Sequence, residues 1–223
     1  SSFILFISYI YNFTQYNIEK ERLLTEERLR LVNQQIQPHF IFNSLSLIRH
    51  LIKKDPDEAV EAVNEFSGYL RGCTDFLNET SCIPAEREFD LVKHYIYMEQ
   101  KRFGKSISVE YAMEDTDFEV PPFAIQTSVE NAIKHGLRSS GKEDGLIRLS
   151  SRAEGKDHIV EIEDTGVGFD TSVLENASKT RVGIKNTMER LRLMCGGSMK
   201  VDSTPGNGTK VTITIPERKS DTA

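Results

Sequence analysis

Residues 159–169 read IVEIEDTGVGF. Val160, Ile162 and Asp164 fall at every second position, so a strand here turns all three side chains to one face. A carboxylate thus follows two apolar residues into the same interior. A buried acceptor needs a donor, and one that suits Asp164 is an exocyclic amine such as that of adenine. Gly166 and Gly168 then let backbone approach a ligand without interference from a Cβ. A DxGxG turn on its own is common in tight turns, so its surroundings must decide.

Upstream, residues 106–113, 145–152 and 157–163 read as strands. Pro121-Pro122 precedes a helix predicted over 123–137, with Ile125, Val129, Ala132, Ile133 and Leu137 on its inner face. Downstream come a polar stretch to Val182, a helix over 183–194, and a hairpin of 198–203 with 208–215. Val211, Ile213 and Ile215 alternate with Lys210, Thr212 and Thr214, as a half-buried strand requires. Before Gly104 the patterns are helical throughout. Ile41, Leu45, Ile48 and Ile52 form one apolar stripe, Phe40, Leu47 and Leu51 a second, and His39, Asn43, Ser46 and His50 a polar one. The expected class is α+β: a helical region, then an α/β sandwich with a mixed, largely antiparallel sheet.

Three further clusters carry chemistry. In Glu130-Asn131-Ala-Ile-Lys134-His135-Gly136, a regular helix places Asn131, Lys134 and Arg138 on one face, an amide oxygen beside an ammonium. An ion pair between Glu130 and Lys134 is the plainer explanation of the same spacing. Val182-Gly183-Ile184 opens a helix, where backbone N–H groups can meet phosphate, and a simple glycine cap fits equally. Gly206-Asn207-Gly208-Thr209 leads into the last strand with Thr209 in phase with Val211.

Taken in order, ENAIKHG, DTGVGF, Gly183 and GNGT resemble the nucleotide-binding boxes of the GHKL ATPase superfamily, which includes histidine kinases, DNA gyrase and MutL. The resemblance implies a Bergerat-type fold that binds ATP with Mg²⁺. By position, Asn131 would ligate Mg²⁺, Lys134 and His135 would hold phosphate, and Asp164 would read adenine. Gly166, Gly168 and Gly183 would shape the pocket, and Thr209 would support Asp164.

Gln35-Ile-Gln-Pro-His39-Phe-Ile-Phe-Asn43 resembles the phosphoacceptor box of LytS/YehU-type sensor histidine kinases, and IPAEREFDLVKHYIYMEQKRFG resembles the stretch that joins that box to the ATPase domain. This implies a two-component enzyme that phosphorylates His39 from ATP and passes the phosphoryl group to an Asp of a response regulator. It also implies a homodimer built from the helical region, in the cytoplasmic portion of a bacterial membrane protein. A neutral imidazole is a competent nucleophile near neutral pH. Two departures stand out. Phe40 occupies the place where many histidine kinases carry an acid, which leaves Glu130 as the candidate base. Arg181 replaces a glycine expected just before Gly183. Asn43, one helical turn after His39, occupies the place where some other kinases keep an amide that orients a dephosphorylating water, so the resemblance implies a phosphatase role for it. Two other readings share these residues: a nucleotide-binding scaffold without turnover, and a GHKL ATPase with no histidine acceptor, which QPHFIFN argues against.

The resulting domain scheme is 1–15 as the remnant of a membrane helix, 16–36 as a helical connector, 37–103 as the dimerisation and phosphotransfer domain, 104–216 as the ATP-binding domain, and 217–223 as a tail, with a hinge expected near 100–105. The apolar run Phe3–Phe13 is too short to span a bilayer by itself. It also suits the start of a soluble dimer helix, and the lack of an initial Met favours the membrane reading. A net charge of −6 with no basic stripe argues against nucleic acid as a partner. Cys73, Cys82 and Cys195 form no CxxC pair, which argues against a disulfide framework or a zinc site.

Overall fold

The computed structural model describes residues 38–140, 144–174 and 182–217. The expected membrane remnant, the connector and Arg181 lie outside these residues, as does all of the tail except Glu217. Contacts divide the chain into two compact units, residues 1–46 and 47–223.

Helix α1, Pro38–Lys54, crosses that boundary. In the first unit its exposed side chains include His39, Phe42 and Leu45. In the second unit Ile48 and Leu51 are buried while Ile52 is exposed. The apolar stripe expected through Ile41, Leu45, Ile48 and Ile52 is therefore split, with Ile48 buried, Ile41 half-buried, and Leu45 and Ile52 exposed.

Asp55-Pro56 ends α1 and starts α2, Pro56–Leu77, in which the Asp55 carboxylate accepts from the Glu58 N–H. Pro84 opens α3, Ala85–Phe103. The two helices lie close because glycines face large side chains. A Cβ on Gly72 would stand 2.9 Å from Leu91 Cδ1. An ion pair of Lys101 with Glu58 and a 2.6 Å contact of His94 Nδ1 with Glu65 tie the pair along its length.

The α/β half holds a five-stranded sheet in the order β2-β4-β5-β7-β6, from Ile107–Met113, Gly145–Glu154, Asp157–Asp164, Thr209–Pro216 and Ser198–Ser203 respectively. Only β2 with β4 is parallel, so the sheet is mixed and largely antiparallel. A two-residue pair, β1 (Ile83–Pro84) with β3 (Glu119–Val120), joins the entry to α3 with the loop after β2. On one face, Ile147, Leu149, Val160, Ile162, Val211 and Ile213 are buried. Helices α4, Ala124–Asn131, and α6, Val182–Cys195, supply the other layer with Ile125, Val129 and Leu191. The opposite face is solvated and cross-linked by charge: Arg148 meets Glu110, and Arg152 and Lys210 both reach Glu161.

The predicted helix over 123–137 is not uniform. It is α-helical through Asn131, makes one π-helical stretch over Ala132–Leu137, and ends in the short α5, Arg138–Ser140. The segment expected as a hinge is the end of α3 and a 3₁₀ turn, Gly104–Ser106, both inside the second unit.

Candidate functional site

The α4 helix and the π turn form one wall of a cavity of about 330 Å³. Ser128, Asn131, Ala132, His135 and Gly136 face it from this wall. Ile162 and Asp164 come from β5, Val167, Gly168 and Phe169 from the loop that follows, and Gly183 and Ile184 from the start of α6. Met199, Val201, Thr209 and Val211 close it from the hairpin. Apolar surface dominates the lining, and the polar groups are few and convergent, which is the usual make-up of a small-molecule site.

Asp164 is the central polar group. It is 4% exposed, and its Oδ1 accepts from the Gly166 N–H at 2.8 Å. Burial pushes its carboxyl up to about 6, against the pull of the Gly166 and Thr209 N–H donors. It opens on a cavity where a ligand amine can take up its remaining acceptor capacity.

Two glycines make this placement geometrically allowable. A Cβ on Gly136 would stand 2.5 Å from Asp164 Oδ1, and one on Gly166 would stand 2.2 Å from the Gly136 carbonyl carbon. The helical wall and the DTGVGF loop thus touch backbone to backbone, and the Val167 N–H donates to the Gly136 carbonyl at 3.2 Å. Gly168 adopts φ 58, a left-handed conformation, beneath the Thr204 carbonyl.

The π turn corrects the expected face. Asn131 lies on the cavity with His135 and Gly136, while Lys134 does not line it. The Lys134 ammonium instead pairs with Glu130 at 2.6 Å, and the Arg138 guanidinium lies over the Phe103 ring at 4.8 Å. A π turn widens the helix, so residues four apart align where three apart were expected. Both carboxylate oxygens of Glu130, the candidate base, are engaged, one by Lys134 and the other by Gln126 Nε2 at 2.9 Å.

Of the residues expected at the site, Asn131, His135, Asp164, Gly168, Gly183 and Thr209 line one cavity. Gly166 does not line it but holds Asp164 through its N–H. His39 and Asn43 belong to the first unit, where Asn43 Nδ2 lies 2.9 Å from His39 Nδ1 and 3.2 Å from Nε2. His39 is exposed.

Sequence reasoning missed Ser203. Its hydroxyl accepts from the Phe169 N–H at 2.9 Å, lies 2.9 Å from the Gly208 carbonyl and 2.9 Å from Thr209 Oγ1, and so ties the glycine loop to the hairpin. Its register opposite Thr209 was a usable signal.

Among the described residues no group of three or more His, Cys, Asp or Glu is arranged to hold a metal ion. On the helical wall of the cavity the Asn131 amide oxygen is a donor suited to a hard cation. Such a donor set fits Mg²⁺ carried in by phosphate oxygens and water, as Mg²⁺ prefers.

Two family models match the chain: one described as histidine kinase, over residues 27–107, and one as histidine kinase-, DNA gyrase B-, and HSP90-like ATPase, over residues 123–219. The uncharacterized protein YwpD of Bacillus subtilis is 34% identical over 197 residues, covering 86% of this chain and 70% of its own. The sensor histidine kinase YpdA of Escherichia coli is 30% identical, covering 94% of this chain and 38% of its own. The sensor protein LytS of Enterococcus faecalis is 28% identical, with 91% and 36% covered. The chain thus spans little more than a third of these two sensor proteins. Among solved structures, the histidine kinase domain of the blue-light activated kinase EL346 of Erythrobacter litoralis is 17% identical with a TM-score of 0.49, covering 88% of this chain and 94% of that one.

Proposed function

The chain belongs to the sensor histidine kinase family, and we propose that it catalyses ATP-dependent phosphorylation of its own His39. The observation that carries this reading is Asp164: a buried carboxylate opening on a mostly apolar cavity, with glycines cleared around it. Adenine would enter there and donate its exocyclic amine to Asp164. The triphosphate would extend along the wall that bears Asn131 and His135 towards Gly183, where the N-terminus of α6 favours negative charge. Mg²⁺, held by the phosphates and the Asn131 amide oxygen, would neutralise charge on the transferring group.

In the transfer a lone pair of the neutral His39 imidazole forms an N–P bond to the γ-phosphorus. The bond from that phosphorus to the β–γ bridging oxygen breaks, ADP departs, and the ring proton passes to solvent. Asn43, in contact with the imidazole, would hold the ring during attack and would later orient water for dephosphorylation. An Asp of a response regulator is the proposed receiver. The solvent-facing Phe42 and Leu45 suit a homodimer contact. We place the protein at a bacterial membrane through segments N-terminal to His39.

The test is incubation with γ-labelled ATP and Mg²⁺, comparing wild type with His39→Gln. Acid-labile label present in the first and missing in the second is the expected result. Label that survives acid, or persists in His39→Gln, would refute the assignment.

A further inference from the structure

Helix α4 bears the Asn131 wall, yet it has no cap of its own. The residue before it, Phe123, supplies no side-chain hydrogen bond, and the helix's first N–H groups would be orphaned in a buried place. The Ala124 N–H donates to the Pro121 carbonyl at 3.2 Å, and the groups on either side of it are satisfied from another helix. Glu88 of α3 is completely buried, and its Oε2 accepts from the Phe123 N–H at 2.8 Å. Its Oε1 accepts from the N–H groups of Ile125 at 3.1 Å and Gln126 at 3.0 Å.

The backbone at this junction is strained. Phe123 has φ 62 and ψ 17, and it alone among the described non-glycine residues has positive φ. For a bulky side chain that conformation is an outlier and persists only where neighbours over-determine it. Three helices do so. Phe76 of α2 packs edge-on against the Phe123 ring at 5.4 Å, Glu88 of α3 holds its N–H, and Arg190 of α6 donates to the Pro122 carbonyl at 2.7 Å. A buried carboxylate is a costly cap where a serine or aspartate before the helix would serve. What Glu88 adds is location, since it fixes the start of α4 to the helical hairpin.

We infer that Glu88 is a positioning residue for the cavity: by capping α4 from α3 it sets where Ser128 and Asn131 stand on the cavity wall, and so couples nucleotide binding to the helical hairpin. This rests on the reading of the cavity as a nucleotide site. The lever is short, because Asn131 lies less than two helical turns beyond Gln126. Coupling of this kind is reciprocal, so nucleotide in the cavity must in turn tighten the cap.

The experiment titrates ATP with Mg²⁺ into wild type, Glu88→Gln and a control, Val92→Ala, which trims a buried α3 side chain but removes no hydrogen bond to α4. Melting temperatures are recorded in parallel. In Glu88→Gln one acceptor becomes a donor facing a backbone N–H. ATP affinity should fall about tenfold, the effect of losing one charge-assisted bond. Both measurements are made at about pH 8, above the value near 7 to which burial raises the Glu88 carboxyl, so the substitution also removes a buried charge and the melting temperature should stay near that of wild type. Val92→Ala should melt lower and bind ATP as wild type does. Unchanged affinity in Glu88→Gln overturns the inference, as does an affinity loss in Val92→Ala that matches its loss of stability. If Glu88→Gln does not fold, amide exchange in wild type decides. Slower exchange at Phe123, Ile125 and Gln126 when ATP is added supports the coupling, and unchanged exchange overturns it. Wild type that binds no ATP refutes the nucleotide-site reading itself, and the inference with it.

Discussion

Replacing Glu88 with Gln should flatten the dependence of stability on pH. Burial raises the Glu88 carboxyl from 4.5 to about 7, against the pull of the three N–H donors and the Arg190 charge. Between those values the folded protein keeps a proton that the unfolded chain has lost. Stability is therefore greatest below the lower value and falls as pH rises through 7. Over the whole interval this amounts to about 3 kcal/mol. Asp164, raised from 3.8 to about 6 by burial, acts in the same direction but finishes earlier. Urea unfolding at about pH 5 and about pH 8 separates the two, because over that range Glu88 accounts for about 3 kcal/mol of loss and Asp164 for about 1 kcal/mol. Glu88→Gln should keep only the smaller part. Groups elsewhere titrate alike in both proteins and cancel in the comparison. Equal losses in wild type and Glu88→Gln would refute the argument, since they would mean that Glu88 is already ionised at the lower pH.

Three other substitutions probe the site and the helices. Gly136→Ala places a methyl group 2.5 Å from Asp164 Oδ1. Calorimetry should find ATP binding lost and stability lowered by about 1–3 kcal/mol from overpacking. Asp164→Asn can turn a donor towards the adenine amine, so ATP affinity should drop roughly 10- to 100-fold with little change in far-ultraviolet dichroism. Phe42→Glu with Leu45→Glu replaces side chains that are 69% and 51% exposed. Sedimentation at micromolar concentration should convert dimer to monomer, and a dimer that survives would place the contact elsewhere.

The strands were legible because alternation is a local property. Val211, Ile213 and Ile215 announce β7, and the structure bounds it at Thr209–Pro216. Asp164 was legible for the same reason, as the next member of the buried series Val160 and Ile162. The wall opposite was read less well. ENAIKHG has the spacing of an ordinary amphipathic helix, and nothing in its composition marks the π turn at Ala132–Leu137. That turn exists because Gly136 must meet Gly166 backbone to backbone, a contact set by residues 30 positions apart in the chain. Glu88 was invisible for a like reason. In AEREFDLV it looks like one more charge on a helix surface, and only the fold brings Phe123, Ile125 and Gln126 over it.

These two misreadings share one cause, and it bears on how the cavity works. The α4 wall is gripped at both ends by groups remote in sequence, Glu88 at its start and the Gly136–Val167 hydrogen bond in the π turn at its end. A helix whose backbone donors and acceptors are committed at both ends cannot slide or unwind by a residue without breaking several buried hydrogen bonds together. Asn131 and His135 therefore stand at fixed positions on the cavity wall, and on the proposed reading a purine would have to fit Asp164 rather than recruit it. Discrimination in such a site comes from an unpaired buried acceptor. A nucleotide with a carbonyl in place of the adenine amine would set one acceptor against another, and the wall would have no freedom to relieve it. GTP should consequently compete with ATP far more weakly than the similarity of their triphosphates suggests.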